Sequence, residues 1–417
     1  MFRTGAQLMI LTLLVGLFLM RESTREPVAT IDESFADFLA MNAKRSEQSA
    51  PVTLVQINES TLRQHPLPWN PLDYAVFFQS ALGFRPESLA TDAILAWDLK
   101  GMSSEQAEKT TQFGQMLREQ VLQSPRVLLG ARLGFPEDPD RLPELEPIPV
   151  LRKVHGDVAT IPEFTVIEAR AAEDYRLSSR EGFTNLPGAN NWHRSVPLLF
   201  RYRGEVVPSF VLQALILWEK VSIDDIHVEL GSRVALGEHV DIPIDSAGRM
   251  RVDFGAIKGR CGLDDLVLAA EQRDAGAASN TPAELFTGRL LLLSRADPPA
   301  ENLRLASGRR GTSGELFASA IATIQARSFI QRAPWWSDYV IIGCYAFMGL
   351  WIPRWSRGLT IFIGIFSLLA YTLVALGIFG ANLIWISGVI PAGLVLFLML
   401  YRLVSPTIDP WASPPKR

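Results

Sequence analysis

Long apolar stretches without charged residues lie near the two ends of the chain, and a mixed pattern of apolar and polar positions fills the region between them. Residues 337–401 contain only three charged side chains, Asp338, Arg354 and Arg357. Near the N-terminus, Leu8–Met20 is almost entirely apolar. Such stretches are typical of membrane helices, so the pattern predicts a soluble domain joined to a membrane region.

The C-terminal apolar region is long enough for several membrane spans. Gly358–Tyr401 contains no charged residue, and as one helix it would be about 66 Å long, roughly twice the hydrocarbon thickness of a bilayer. It is therefore predicted to turn back at Gly380–Asn382, which gives spans near Leu359–Phe379 and Leu383–Tyr401. A further span is predicted at Trp335–Ile352, with tryptophans near both ends as in an aromatic belt.

The N-terminal apolar stretch allows two interpretations. A cleaved signal peptide usually has an apolar segment of this size. However, Arg21 and Glu22 follow the stretch, and no pair of small residues stands at the spacing of a cleavage site. This favours an uncleaved membrane anchor.

The distribution of basic residues predicts the orientation of four spans. Under the positive-inside rule, Arg3, Arg354, Arg357 and Arg402 mark the cytoplasmic ends of the apolar segments. We therefore expect a multi-pass protein of the bacterial inner (plasma) membrane, with both termini in the cytoplasm and its main domain in the periplasm. The predicted divisions are 1–22 (anchor), 23–334 (extracytoplasmic domain), 335–402 (three-helix membrane region) and 403–417 (short cytoplasmic tail).

Charge and cysteine content exclude several classes of protein. The formal net charge is −4, and the negative charge lies in the region between the membrane segments. An acidic domain argues against nucleic acid as a partner. Two cysteines are too few for a disulfide scaffold.

Strand-like and helix-like patterns alternate in the first part of the outer domain. Strands are predicted at Val52–Ile57, Ser88–Trp97 and Arg126–Leu129, with helices at Asp73–Leu82 and Glu105–Leu122 between them. This alternation predicts a parallel, right-handed α/β core. The expected fold class is α/β (mixed α+β) with a mixed β-sheet, together with one N-terminal and three C-terminal membrane helices.

Other elements are predicted from local patterns. Thr30-x-x-Glu33 resembles a capping box that opens a helix packed through Ile31, Phe35, Phe38 and Leu39. Further predictions are helices at Phe210–Lys220, Leu263–Arg273 and Glu315–Phe329, a strand at Leu290–Ser294, a strand pair of His227–Leu230 with Arg233–Leu236, and a hairpin of Asp241–Ile244 with Arg249–Phe254.

The last predicted helix leads from the outer domain towards the membrane. It begins at Glu315, ends at Phe329 and is followed by Trp335 at the start of a predicted span. A helix in this position would transmit a displacement across the membrane. A plain tether between the two regions is the alternative.

The sequence has no recognisable catalytic motif. The five histidines are scattered, there is no HExxH, CxxC, nucleophile elbow or P-loop, and neither a metal nor a cofactor is predicted. Glu59 and Asp98 follow predicted parallel strands, whose carboxyl ends meet at one edge of a sheet. Paired carboxylates there would support acid–base chemistry or ligand binding, and structural hydrogen bonding is the alternative. We expect a protein that is not an enzyme.

Three arginines are weaker candidates for binding. Arg309 and Arg310 lie in a glycine-rich loop over 308–314, which would form an anion-binding nest or a solvated loop. Arg194 precedes an apolar strand, where it would form a structural ion pair or contact a ligand.

A family resemblance is carried by segments in a fixed order along residues 1–401. They are Val52–Leu62, Pro68-Trp69, Ile94–Leu99, Gly182–Leu199 and Ile244–Phe254. In this order, with one apolar span before them and three after, they resemble the CHASE type 2 family of cyclase- and histidine-kinase-associated sensory extracellular domains.

The resemblance implies roles for two residues, and the sequence departs from the family pattern at two places. It places the aspartate of the family's second strand at Asp98 and its arginine at Arg194. The family usually has aspartate at the position of Asn58 and an Asp-Gly turn at the position of Asn190-Asn191. The resemblance implies an extracytoplasmic domain for sensing or interaction.

We therefore expect a membrane-anchored sensor that acts through a separate membrane or signalling protein, because the short tail after residue 402 cannot form an output domain. The alternatives are a structural or assembly component of a cell-envelope complex and, less favoured, a periplasmic hydrolase. The lipid bilayer is the other expected partner, and homo-oligomer formation stays open.

Overall fold

The computed structural model describes residues 2–44, 49–136, 147–188, 192–238, 240–297, 300, 302–306, 308 and 310–405. The chain divides into two compact units. The helical unit consists of Met1–Glu47 and Ile330–Arg417, and the α/β unit consists of Gln48–Phe329.

The secondary structure contains helices and strands throughout. The helices are α1 (Phe2–Glu22), α2 (Val28–Asn42), α3 (Glu59–Gln64), α4 (Pro71–Leu82), α5 (Ser104–Gln123), α6 (Glu173–Arg176), α7 (Phe210–Glu219), α8 (Leu263–Asp274), α9 (Ser313–Gln325), α10 (Trp336–Gly349), α11 (Arg357–Asn382) and α12 (Val389–Val404). The strands are β1 (Val52–Ile57), β2 (Ser88–Thr91), β3 (Val127–Gly134), β4 (Lys153–His155), β5 (Glu163–Phe164), β6 (Val166–Ala169), β7 (Arg180–Phe183), β8 (Trp192–His193), β9 (Ser195–Pro197), β10 (Leu199–Tyr202), β11 (Glu205–Pro208), β12 (Ile226–Glu229), β13 (Arg233–Leu236), β14 (Val240–Pro243), β15 (Arg249–Arg251), β16 (Gly259–Gly262), β17 (Leu290–Arg295), β18 (Leu303–Leu305), β19 (Arg310–Gly311), β20 (Gln331–Arg332) and β21 (Ile384–Trp385).

The α/β unit is built on a mixed central sheet. Its strand order is β16–β1–β17–β2–β3, with all neighbours parallel, and β3 then pairs with parallel β7 and antiparallel β6. Smaller sheets join β14–β13–β12–β4, β11–β10–β5, β19–β18–β8 and β15–β9. The mixed α/β fold class predicted for this region is confirmed.

Both faces of the central sheet are covered by helices. Leu292 of β17 packs in a core that includes Phe210 of α7 and Leu316 of α9. Its neighbour Leu291 packs in a second core with Phe77 of α4 and residues of α5 and α8. Successive residues of a strand point to opposite faces, so a run of four leucines such as Leu290–Leu293 in β17 must be buried on both sides.

Two predictions about strands are wrong in detail. The strand predicted at Ser88–Trp97 ends at Thr91, because the chain leaves the sheet at Asp92. The turn predicted after Ile244 does form, with Gly248 at φ +71°. Its two arms do not pair with each other, since β14 pairs with β13 and β15 pairs with β9.

The predicted capping box is also wrong. Helix α2 begins at Val28, and the Thr30 hydroxyl donates a hydrogen bond to the carboxylate of Glu26. The packed face differs as well, because Asp32 is buried whereas Ile31 is exposed.

The helical unit is a bundle in which α12 contacts α1, α10 and α11. Two of its helical segments, Thr4–Glu22 and Arg357–Asn382, are long and apolar enough to cross a membrane. Helices α10 and α12 have 14 and 16 residues, which corresponds to about 21–24 Å against a hydrocarbon core of about 30 Å. Membrane helices near both ends are thus supported, and three C-terminal spans stay a prediction.

A polar network fixes the start of α12. Asp32 of α2 accepts hydrogen bonds from the Ser387 hydroxyl at 2.9 Å, from the Gly388 amide at 2.7 Å and from the Val389 amide at 3.2 Å. Asp32 is only 2% exposed, so this carboxylate replaces its lost hydration with groups at a helix N-terminus. Arg332 of β20 lies 3.9 Å from the same carboxylate.

Candidate functional site

Three elements meet at the carboxyl edge of the central sheet. Asp92 directly follows β2, Ser294 is near the end of β17, and Ser313 is the first residue of α9. The hydroxyls of Ser294 and Ser313 donate to Asp92 Oδ2 at 2.7 Å and 2.9 Å. One carboxyl group therefore joins two strand ends to the beginning of the last helix of the α/β unit. We call these three residues the Asp92 cluster.

Glycine at position 314 allows α9 to approach the sheet this closely. A Cβ atom on Gly314 would lie 2.1 Å from both Cβ and Oγ of Ser294. The helix is further fixed by Thr312, whose hydroxyl accepts a hydrogen bond from the Glu315 amide. Glu315 is buried and forms an ion pair with Arg260 at 2.7 Å.

The electrostatics around the Asp92 cluster are set by burial and by one arginine. Burial raises the pKa of Asp92, although hydrogen bonds from the two serines and the charge of Arg295 oppose the shift. Arg295 also forms a bidentate pair with Asp297 at 2.9 Å and 2.7 Å, and these hydrogen bonds lower the pKa of Asp297.

A tyrosine on α4 completes this environment. Burial, together with the charge of Asp92, raises the pKa of Tyr74 to about 12. Its hydroxyl therefore stays protonated at neutral pH. The edge of the sheet consequently groups a carboxyl group, hydroxyl groups and an arginine.

A row of four aromatic side chains runs through this part of the unit. Trp69 and Tyr74 have ring centroids 5.2 Å apart, Tyr74 and Trp97 are 6.0 Å apart, and Trp97 and Tyr175 are 6.1 Å apart, all edge to face. The indole N–H of Trp97 donates to the carbonyl of Trp69 at 2.9 Å. Such contacts favour a fixed geometry. We call these residues the aromatic row.

A cavity lies near each end of the aromatic row, and each measures about 250 Å³. The first lies between α3, α4 and α8, and its lining includes His65, Trp69, Asp73, Asp264 and Glu271. The second lies against α5 and α6, and its lining includes Trp97, Thr111, Gln115, Arg118, Asp174 and Tyr175.

The two predicted carboxylates have separate partners. Glu59 begins α3 and forms an exposed ion pair with Arg63 at 2.9 Å. Asp98 accepts a hydrogen bond from the Lys100 amide at 2.9 Å and caps a short 3-10 helix. The structure therefore gives each residue a local structural contact, and a joint role of the pair in binding or acid–base chemistry stays a prediction.

Two of the predicted arginines lie at one small sheet, since Arg194 directly follows β8 and Arg310 is on β19, and both strands pair with β18. Arg194 stacks on the Trp192 ring at 5.7 Å. Arg310 is exposed on β19, which pairs with β18. Arg309 lies outside the described residues, as does Asn190-Asn191 of the family comparison.

The predicted signalling helix is shorter than expected. It contains Glu315 but ends at Gln325, and Arg327 adopts a left-handed conformation at φ +52°. Phe329 is half-buried against the core of the α/β unit, outside any helix. Trp335, in the helical unit, is 71% exposed.

Asp92 was not predicted as a site residue. The available signal was a carboxylate in the middle of the predicted buried strand Ser88–Trp97, because α/β sheets place such functional groups at strand ends. It was overlooked because the predicted strand extended past Asp92 to Trp97. Among the described residues, no three His, Cys, Asp or Glu side chains are grouped to hold a metal ion. Cys261 is buried, which raises its pKa to about 12 and makes it a poor nucleophile.

The family model of the CHASE2 domain matches residues 9–351. This match covers most of the chain and includes the whole α/β unit. The chain belongs to the CHASE2 family. CHASE2 domains are sensory extracellular domains, and the CHASE2 match extends from α1 to just beyond α10. Comparison with curated proteins and with solved structures finds no match.

Proposed function

We propose that this CHASE2 protein is a sensor of the bacterial inner membrane that detects a signal in the periplasm and acts on a separate membrane or signalling protein. The observation that carries the proposal is the CHASE2 match over residues 9–351. Along the chain, helical segments precede and follow the α/β unit. Two of these segments are long and apolar enough to span a membrane.

The Asp92 cluster supports a route for the signal. A ligand or a proton that changes the charge of Asp92 changes its hydrogen bond to Ser313, the first residue of α9. Along the chain, α9 is the last helix of the α/β unit, and β20 and α10 follow it. If α9 has two arrangements relative to the sheet, a ligand that binds one arrangement more tightly shifts the population towards it.

The proposed topology has four spans, cytoplasmic termini and a periplasmic α/β unit. It can be tested by cysteine labelling in spheroplasts, in a Cys344→Ser background that leaves only the buried Cys261. A membrane-impermeant maleimide should label Lys100→Cys, in the α/β unit, without permeabilisation. The matched variant Arg357→Cys should react only after permeabilisation. The reverse pattern contradicts the topology.

The proposed partner can be tested with the tagged full-length chain in native membranes. Cross-linking should reproducibly enrich a protein with a kinase, cyclase or comparable output domain, and an unrelated multi-pass protein with the same tag is the control. The activity of that protein should change when Asp92→Asn is introduced. A partner whose activity does not respond favours the structural or assembly alternative, and repeated failure to enrich a partner contradicts the proposal.

A further inference from the structure

The second cavity, which we call the α5 cavity, has the features of a binding site for a small charged molecule. It lies beside α5 and is walled by Trp97 and Tyr175 of the aromatic row. Arg118 of α5 and Asp174 of α6 line it, together with the amide of Gln115. It thus combines two aromatic walls with one positive group, one negative group and the neutral polar side chains of Thr110, Thr111 and Gln115.

The two charged side chains of this cavity are exposed at its opening. Within the described residues, neither Arg118 nor Asp174 makes an ion pair or a side-chain hydrogen bond. The same helix shows that charges here can pair, because Lys109 and Glu105 are 2.7 Å apart. Opposite charges that line one cavity without neutralising each other are available to a ligand that carries both charges.

The aromatic walls are fixed independently of any ligand. Burial raises the pKa of Tyr175 to about 12, so its hydroxyl remains a donor, and it lies 3.4 Å from the Gly114 carbonyl. Trp97 is held by its hydrogen bond to the Trp69 carbonyl. A preformed wall lowers the ordering cost of binding.

We propose that the α5 cavity binds a free α-amino acid. Arg118 would hold the carboxylate through its planar, bidentate guanidinium, and Asp174 would accept hydrogen bonds from the ammonium group. The volume of about 250 Å³ exceeds the roughly 150 Å³ cavity that holds benzene, which suits an amino acid with a side chain against Trp97.

The proposal rests on the proposed sensory function and specifies its ligand class. Trp97 touches Tyr74, and the charge of Asp92 acts on Tyr74. An occupied α5 cavity would thus be connected to the Asp92 cluster, and so to the start of α9, through the Trp97–Tyr74 ring contact and the charge interaction of Tyr74 with Asp92.

The test is direct binding to the full-length chain in detergent or nanodiscs. The twenty L-amino acids are screened one at a time by the shift in melting temperature, and each positive is measured by calorimetry. At least one should bind, and its methyl ester and its N-acetyl derivative should each bind at least tenfold more weakly, because each lacks one of the two charges. If none of the twenty binds, or if both derivatives bind as well as the free amino acid, the proposal is wrong.

Variants locate the binding. Arg118→Gln and Asp174→Asn should each weaken binding at least tenfold, as expected for the loss of a charged hydrogen-bonding partner. The neighbouring Glu119→Gln and Glu173→Gln, which do not line the cavity, are matched controls and should bind as the unmodified chain does. Equal weakening in all four, or in none, would place the ligand elsewhere. A negative result in these binding experiments does not affect the results of the partner and topology experiments. The proposed ligand and the proposed function can therefore be refuted separately.

Discussion

The close contact between α9 and the sheet yields a sharp prediction for Gly314→Ala. The new Cβ would lie 2.1 Å from Cβ and Oγ of Ser294, whereas ordinary contacts begin at 3.4 Å. The Ser294 Cβ is fixed to its strand and cannot rotate away, so α9 must move by about 1.3 Å. Overpacking of this kind costs about 1–3 kcal/mol, and the better helix propensity of alanine returns at most about 1 kcal/mol.

The net loss should be about 1–2 kcal/mol, which corresponds to a fall of roughly 2–8 °C in melting temperature for a domain of this size. Thermal unfolding of the full-length chain in detergent measures it. The matched control is Gly101→Ala, whose Cβ would meet nothing within 4 Å and which should stay within about 0.5 kcal/mol of the parent.

A double variant tests whether the clash with Ser294 causes this loss of stability. In a Ser294→Gly background the clash is absent, so Gly314→Ala should cost less there than in the parent chain, by about 1 kcal/mol or more. If Gly314→Ala melts at or above the parent temperature, or if Ser294→Gly does not reduce its effect, the close approach of helix and strand is not what fixes α9.

Three further variants test the polar contacts. Because burial raises the pKa of Asp92, the folded state binds a proton where the unfolded chain does not, so stability should fall as pH rises from about 4 through the raised pKa. Asp92→Asn should flatten this slope in melting curves taken from roughly pH 4 to 8, and an unchanged slope would assign it to other groups. Arg260→Ala leaves the buried Glu315 without this ion-pair partner and should lower the free energy of unfolding by about 1–3 kcal/mol. In a Glu315→Gln background the same change should cost less, as measured by chemical denaturation. Equal costs in the two backgrounds would contradict this. Asp32→Ala removes the acceptor for Ser387 and for the Gly388 and Val389 amides and should lower the free energy of unfolding by about 2–3 kcal/mol. Asp32→Asn keeps an acceptor oxygen and should lose less stability, as measured by unfolding in denaturing detergent. Equal losses would show that the acceptor oxygen is not what stabilises this region.

Local patterns predicted much of the α/β core correctly. Leu290–Leu293 is all apolar, and a strand of this kind needs helices on both faces of its sheet. The alternation of strands and helices from Val52 to Leu129 then favours parallel pairing, because crossover helices separate the strands. These inferences depend on near neighbours in the chain, which is why periodicity reveals them.

Pairings across long stretches of chain could not be predicted in this way. The turn at Asp245–Gly248 was expected from its residues, but β15 pairs with β9, more than fifty positions earlier. A turn fixes only the local direction of the chain. The partner of each arm depends on which strand edge the rest of the fold leaves open.

For the same reason, neither the Asp92 cluster nor the polar network around Asp32 could be predicted from the sequence. Asp92 finds Ser294 and Ser313 at separations of 202 and 221 residues, and Asp32 finds Ser387 at a separation of 355. The apolar pattern indicated that α2 exists, but it placed Ile31 on the packed face, whereas the structure buries Asp32 and exposes Ile31. Sequence alone predicted the main strands and helices of the α/β core, since these follow from local burial. Only the tertiary structure decided where polar groups meet, because a buried carboxylate is stabilised by whichever donors the completed fold brings to it.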